Sequence, residues 1–117
     1  MPFNNALMVL SANAQRAAMT HMQLHTGDPG AAGTANVTSA ARQAVTWSAA
    51  TSDGDYGLAS AVNFTGVAAN GAATWVSLWS AITSGTTYGN FALSGDATAN
   101  AAGEYTVTAL NLNGSAT

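Results

Sequence analysis

Lysine and cysteine are both absent from this 117-residue chain, and charge of either sign is scarce. Two arginines, five acidic residues and two histidines give a formal net charge of −3 at pH 7, and charged residues make up 6% of the whole against roughly 25% in an average soluble domain. With Arg16 and Arg42 alone there is no basic cluster to neutralise phosphates, which argues against nucleic acid as a partner. An anionic membrane surface is disfavoured on the same ground. Without cysteine there can be no disulfide framework and no thiolate zinc site, and the redox compartment leaves no mark. No apolar run approaches the ~18 residues of a membrane span. The first ten residues lack the basic start and long apolar stretch of a secretory signal. The expectation is a soluble chain made inside a cell, with no export address of its own.

Ala, Gly, Ser, Thr and Asn stand where charge would be, and hydrophobic residues reach 48%. A chain of this length forms one domain, residues 1–117, able to bury roughly two-thirds of its unfolded surface. A free monomer ordinarily keeps itself apart from its copies with a charged surface. This chain has little of one, so packing against copies of itself or a partner is expected.

One segment has helical period. Phe3, Leu7, Leu10, Ala14, Ala17 and Met22 recur at steps of three to five, which predicts a helix over 3–21 with a narrow apolar stripe. That stripe suits packing on the chain's own sheet or around an oligomer axis. Beyond it the period becomes two, over a β-rich module spanning 22–117. Strands are predicted at 22–26, 42–49, around Val62 and Phe64, at 73–81, at 88–94 and at 104–112. Turn sequences separate them, including Gly27-Asp28-Pro29-Gly30, Asn70-Gly71 and Thr83-Ser84-Gly85-Thr86. In 73–81 the alternation sets Val76 and Leu78 on one face and Trp75 and Trp79 on the other, so both faces must be covered. In 104–112 the apolar residues change face between Val107 and Leu110, which suggests a bulge near Ala109. The fold class is therefore mainly β: an antiparallel β-sandwich or open barrel of about six short strands with one N-terminal α-helix.

Chemistry has few candidates. His21 and His25 are four apart, a spacing that can serve one metal, but no third ligand lies nearby and the segment crosses from helix to strand. Gathering His25 from several subunits on a three-fold axis stays open. Asp53-Gly54-Asp55 is half of a calcium loop without its closing glutamate, and a solvated turn explains it as well. No nucleophile elbow, Walker loop or dinucleotide fingerprint occurs. A hydrolytic triad assembled from distant residues is not excluded by sequence, although acid–base residues are sparse. Trp75 and Trp79 could form a sugar platform, or belong to the core or a subunit interface. No cofactor is expected, and no catalytic or metal-binding residue is assigned.

The leading helix running into Leu24-His25-Thr26-Gly27-Asp28-Pro29-Gly30, the Ala44-Val45-Thr46-Trp47 strand, and Val76–Ala81 followed by Tyr88-Gly89-Asn90-Phe91-Ala92-Leu93 together resemble a family of small virion proteins. These are structural proteins of tailed bacteriophages, especially those of actinobacteria, usually labelled minor tail, tail-fibre or capsid decoration proteins. The resemblance covers nearly the whole chain. It implies a non-enzymatic, β-rich particle component, present in the virion and assembled in the host cytoplasm, and it brings no catalytic residues. The partners it implies are other virion proteins of capsid or tail and further copies of this chain in a symmetric homo-oligomer such as a trimer. The residues expected at such contacts are Phe3, Leu7 and Leu10 on the helix, with Trp75 and Trp79 on the two-faced strand. A receptor- or carbohydrate-binding module at a tail tip is the alternative.

Overall fold

The computed structural model describes residues 4–51, 54–95 and 97–112. Asn4 opens the helix: its side-chain carbonyl accepts from the Leu7 N–H at 3.0 Å, satisfying one of the donors that a helix start leaves free. Helix α1 then runs Asn5–Ala18, ending short of the expected residue 21. The reason lies in the strands that follow. Met19 still donates to Gln15, but Thr20 donates to the Trp79 carbonyl and accepts from the Val45 N–H, so the sheet has taken over the backbone. Phe3 lies outside the described residues.

The main sheet has the order β2-β1-β5-β6 and is antiparallel throughout, built from β1 (His21–His25), β2 (Gln43–Ala44), β5 (Trp75–Trp79) and β6 (Thr87–Ala92). β1 and β5 are the central pair, in the register Met22↔Leu78 and Leu24↔Val76. All four of these side chains are fully buried and define the core face. Two further ladders complete the β structure. β4 (Val62–Phe64) pairs with β7 (Tyr105–Val107), and β3 (Tyr56–Gly57) pairs with β8 (Asn111–Leu112). In the first ladder Val62, Phe64, Tyr105 and Val107 are buried while Asn63 and Thr106 face out, the alternation of a half-solvated strand pair. Among the described residues the architecture is mainly β, antiparallel, with one N-terminal helix, and no sheet closes into a barrel.

The predicted 104–112 strand is two strands. Its face switch separates β7 from β8, and the two pair with different partners. The predicted 42–49 strand is also reduced: only Gln43–Ala44 joins the sheet, and Trp47 makes a single bridge to Leu58. The β5–β6 hairpin turns through Ser84 and Gly85 with φ of 53° and 80°, and Ser80 and Thr86 close it by a backbone bond of 3.0 Å. The principal extents are 48 × 25 × 21 Å, so the molecule is elongated.

Candidate association surface

Helix α1 has two apolar sides, and among the described residues only one is covered by its own chain. Ala12 is the one buried residue of the helix. Its neighbours on that side are held down by polar tethers near the C-terminal end. The Tyr56 hydroxyl donates to Gln15 Oε1 at 2.7 Å, and the Trp47 indole N–H donates to the Met19 carbonyl at 2.8 Å. Trp47 and Tyr56 meet edge to face with centroids 5.4 Å apart. At the other end Gly54 sits so close that a Cβ there would lie 2.7 Å from the Met8 carbonyl oxygen. Arg16, the helix's sole charged residue, is half-buried and reaches the Trp47 carbonyl and Asn13.

The other side is open. At about 100° per residue, Leu7, Leu10, Ala14 and Ala17 centre on a line diametrically opposite Ala12. All four are exposed, Leu7 by 41% and Leu10 by 66%. Their spacing of three, four and three residues is that of a coiled-coil seam. The seam carries no charge along its length.

Between the last turns of α1 and strand β6 lies an open groove of about 610 Å³, lined by Ala14, Ala18, Met19, Tyr88, Phe91 and Leu112, with Gln15, Tyr56 and Asn111 supplying its polar atoms. Among the described residues no charged side chain lines it, and Tyr88 is 51% exposed. Phe91 shares the core face with Val76 but is only half-buried, because the helix stops short of covering β6.

The second face of the sheet is covered by the 26–42 segment of the same chain. Beneath it His25, Ser77 and Trp79 form a chain of hydrogen bonds. His25 Nδ1 lies 2.9 Å from the Ala35 carbonyl, His25 Nε2 lies 2.7 Å from Ser77 Oγ, and Trp79 Nε1 donates to the same Oγ at 2.7 Å. Burial holds the His25 imidazole below its ordinary value; hydrogen bonds to the Ala35 and Asn36 backbone act against this, and the positive Arg42 adds to it. Arg42 lies over the Trp79 ring at 3.8 Å and donates to the Ala81 and Ser84 carbonyls. Ser77 and His25 have the spacing of a nucleophile and its base, yet both are fully buried, and no substrate reaches them in this conformation.

Of the residues singled out by sequence, Leu7 and Leu10 fall on the open seam. Trp79 is 6% exposed beneath its own chain, and Trp75 is half-buried, opposite His25. Trp75 and Trp79 thus form no exposed platform. His21 and His25 lie on one strand, about 13 Å apart at 3.3 Å per residue, too far to share a metal. Among the described residues no three of His, Asp and Glu come together. Asp28 is a turn residue, accepting from the Gly30 N–H at 2.9 Å; Asp53 lies outside the described residues. No described helix is long and apolar enough to cross a membrane. Sequence reasoning missed the groove and the His25 network. The polar Gln23, His25 and Ser77 inside strands otherwise made of large apolar residues were the signal for the latter.

A model of the family described as podophage GP4 fiber I protein gp80 matches residues 5–115. Comparison with curated proteins gave no match, and comparison with solved structures gave none either.

Proposed function

The chain belongs to the podophage GP4 fiber I protein gp80 family, and from that premise we propose that it is a non-enzymatic fibre module that self-associates through helix α1. The family makes it a fibre-type structural component of a phage virion. The observation that carries the finer reading is the seam of Leu7, Leu10, Ala14 and Ala17, exposed on the side of α1 opposite Ala12. A helix apolar on two opposite sides is stable in water only when both are covered. Seam spacing of three and four residues suits another helix of the same kind. Copies can meet along it without like-charge repulsion, because Arg16 is turned toward its own chain. The small Ala14 and Ala17 allow backbones to approach closely, as packing about the axis of a trimer requires. Contacts with other virion proteins, in a fibre rather than as capsid decoration, complete this reading, with assembly in the host cytoplasm. Trp79 then serves the interior of one copy, and Leu7 and Leu10 carry the contact, with Phe3 added to them by its spacing in the sequence alone. Trp75 is a secondary contact.

The test is light scattering after size exclusion on the purified chain and on a Leu7→Asp/Leu10→Asp variant. A defined wild-type oligomer and a variant that is monomeric with an unchanged circular dichroism spectrum are expected. A monomeric wild type at micromolar concentration would rule the reading out. Hydrolysis of any member of a cell-wall substrate panel would remove the non-enzymatic part.

The groove favours a second reading, a saccharide-binding module. An exposed Tyr88 ring beside Phe91, amides at Gln15 and Asn111 and an uncharged lining suit a neutral sugar, whose apolar ring faces stack on aromatics. Titration with neutral oligosaccharides, repeated on Tyr88→Ala, decides it: binding lost in the variant supports the module, and no binding to either protein removes it.

A further inference from the structure

The 26–42 segment lies on the second face of the sheet with Pro29, Gly33 and Ala40 buried beneath it, and a set of hydrogen bonds fastens it there. Thr38 donates its backbone N–H to the Leu24 carbonyl of β1 at 3.1 Å, and Thr26, the first residue past β1, donates to the Asn36 carbonyl at 2.7 Å and so ties the returning chain to the end of the strand. The Thr38 hydroxyl also reaches the Leu24 carbonyl, Gln23 Nε2 reaches the Ala40 carbonyl, and Asn90 Nδ2 reaches the Gly30 carbonyl. Within this set His25 is the one bond whose direction depends on a proton.

The protons of the network can be assigned by elimination. A carbonyl only accepts, so His25 Nδ1 must carry the hydrogen that faces Ala35. In the neutral ring Nε2 is then an acceptor, and the Ser77 hydroxyl must donate to it. The Ser77 oxygen in turn accepts from the Trp79 indole. Every donor and acceptor is used once, and the chain closes only with His25 neutral.

We propose that His25 is a proton-operated latch: its protonation at Nε2 lifts the 26–42 segment and uncovers the Ser77 and Trp79 face of the sheet. The proposal does not depend on the fibre reading. A protonated Nε2 turns from acceptor to donor and meets Ser77 Oγ, which then loses the acceptor for its own hydrogen. Ser77 is fully buried and its hydroxyl reaches no other partner among the described residues, so a hydroxyl donor is left unsatisfied in the interior. The imidazolium would also be a buried cation without a counter-ion. Among the described residues, the charged and titratable groups around it offer none. The covering segment brings Arg42, of the same sign, which adds to the depression, and Asp28, which sits in the turn on the Gly30 N–H and is not among the groups that act on His25. On β1 there is His21, whose ring meets the Thr20 hydroxyl. β5 brings none, and β6 brings Tyr88, on the groove side. Opening the segment lets water solvate the charge.

The linkage has a definite sign. In the open form His25 takes up its proton near the ordinary 6.5, and in the closed form only at lower pH. The closed form is therefore fully favoured above about 6.5 and loses ground as pH falls toward the closed-form value. Nuclear magnetic resonance on the wild-type chain tests this, following His25 through its protected Nδ1 proton alongside amide exchange at Thr26 and Thr38. Exchange at these two amides, corrected for its intrinsic pH dependence, is expected to rise up to about tenfold per pH unit below 6.5, while amides of β4 and β7 keep their protection. Iodide quenching of tryptophan should rise over the same range, and His25→Gln should abolish the pH dependence. Unchanged protection at Thr26 and Thr38 while His25 titrates would overturn the latch, as would loss of protection at β4 and β7 in step with them. If His25→Gln does not fold, the wild-type exchange data decide alone.

Discussion

Trp79 has two tasks in the covered face: its ring is the floor on which Arg42 lies, and its indole N–H closes the bond to Ser77. The two can be separated. Trp79→Phe keeps a ring and loses the donor, which is expected to cost about 1 kcal/mol in urea denaturation. Trp79→Ala removes both and leaves a cavity, for an expected loss of about 3–5 kcal/mol. Gly103 is a second sensitive residue. Its φ is 76°, and a Cβ there would collide with the Val67 carbonyl oxygen. Gly103→Ala should therefore destabilise by about 1–3 kcal/mol, read as a lower thermal midpoint. At this scale the sequence was least legible. His25 and Ser77 are 52 positions apart, and the atom that fixes the histidine tautomer is the Ala35 carbonyl, which no side-chain pattern records.

Among the elements, helix α1 was the most legible, and its stripe follows directly from the spacing of Leu7, Leu10, Ala14 and Ala17. Which side faces home was not legible, because the home side is built around the small Ala12 and a glycine. Gly54, with φ of 83°, admits the Met8 carbonyl where any side chain would collide. Gly54→Ala is expected to loosen α1, with faster amide exchange through its first two turns while β4 and β7 stay protected. The face switch within 104–112 was readable from Val107 and Leu110. That the switch hands the chain from one ladder to another was not, since pairing partners depend on segments 40 to 60 residues away.

For the molecule as a whole, the scarcity of charge is the controlling property. The α1 seam is uncharged, so association through it should be insensitive to ionic strength. Raising salt tenfold from about 0.05 M, which shortens the screening length from about 14 to about 4 Å, should leave the oligomer measured by light scattering unchanged. Dissociation with salt would point to a contact elsewhere. The class of the fold was legible in the turns and the period of two. Its extent was not: the sequence required the second face to be covered, and the chain's own 26–42 segment covers it through side-chain bonds to backbone carbonyls that composition does not reveal.

The division of 105–112 between two ladders also sets an order in time. β3 and β4 emerge from the ribosome with neither partner yet made, since both partners lie in this late stretch. At 5–20 residues per second the wait is on the order of seconds. During that interval Val62 and Phe64 are exposed strand without a ladder, and a nascent chain on a neighbouring ribosome is the nearest competitor for them. The same late arrival makes 105–112 the fastener whose docking commits the fold, so ribosome-bound chains stalled before residue 105 should be cut readily by protease at β3 and β4, and the released, folded chain should resist.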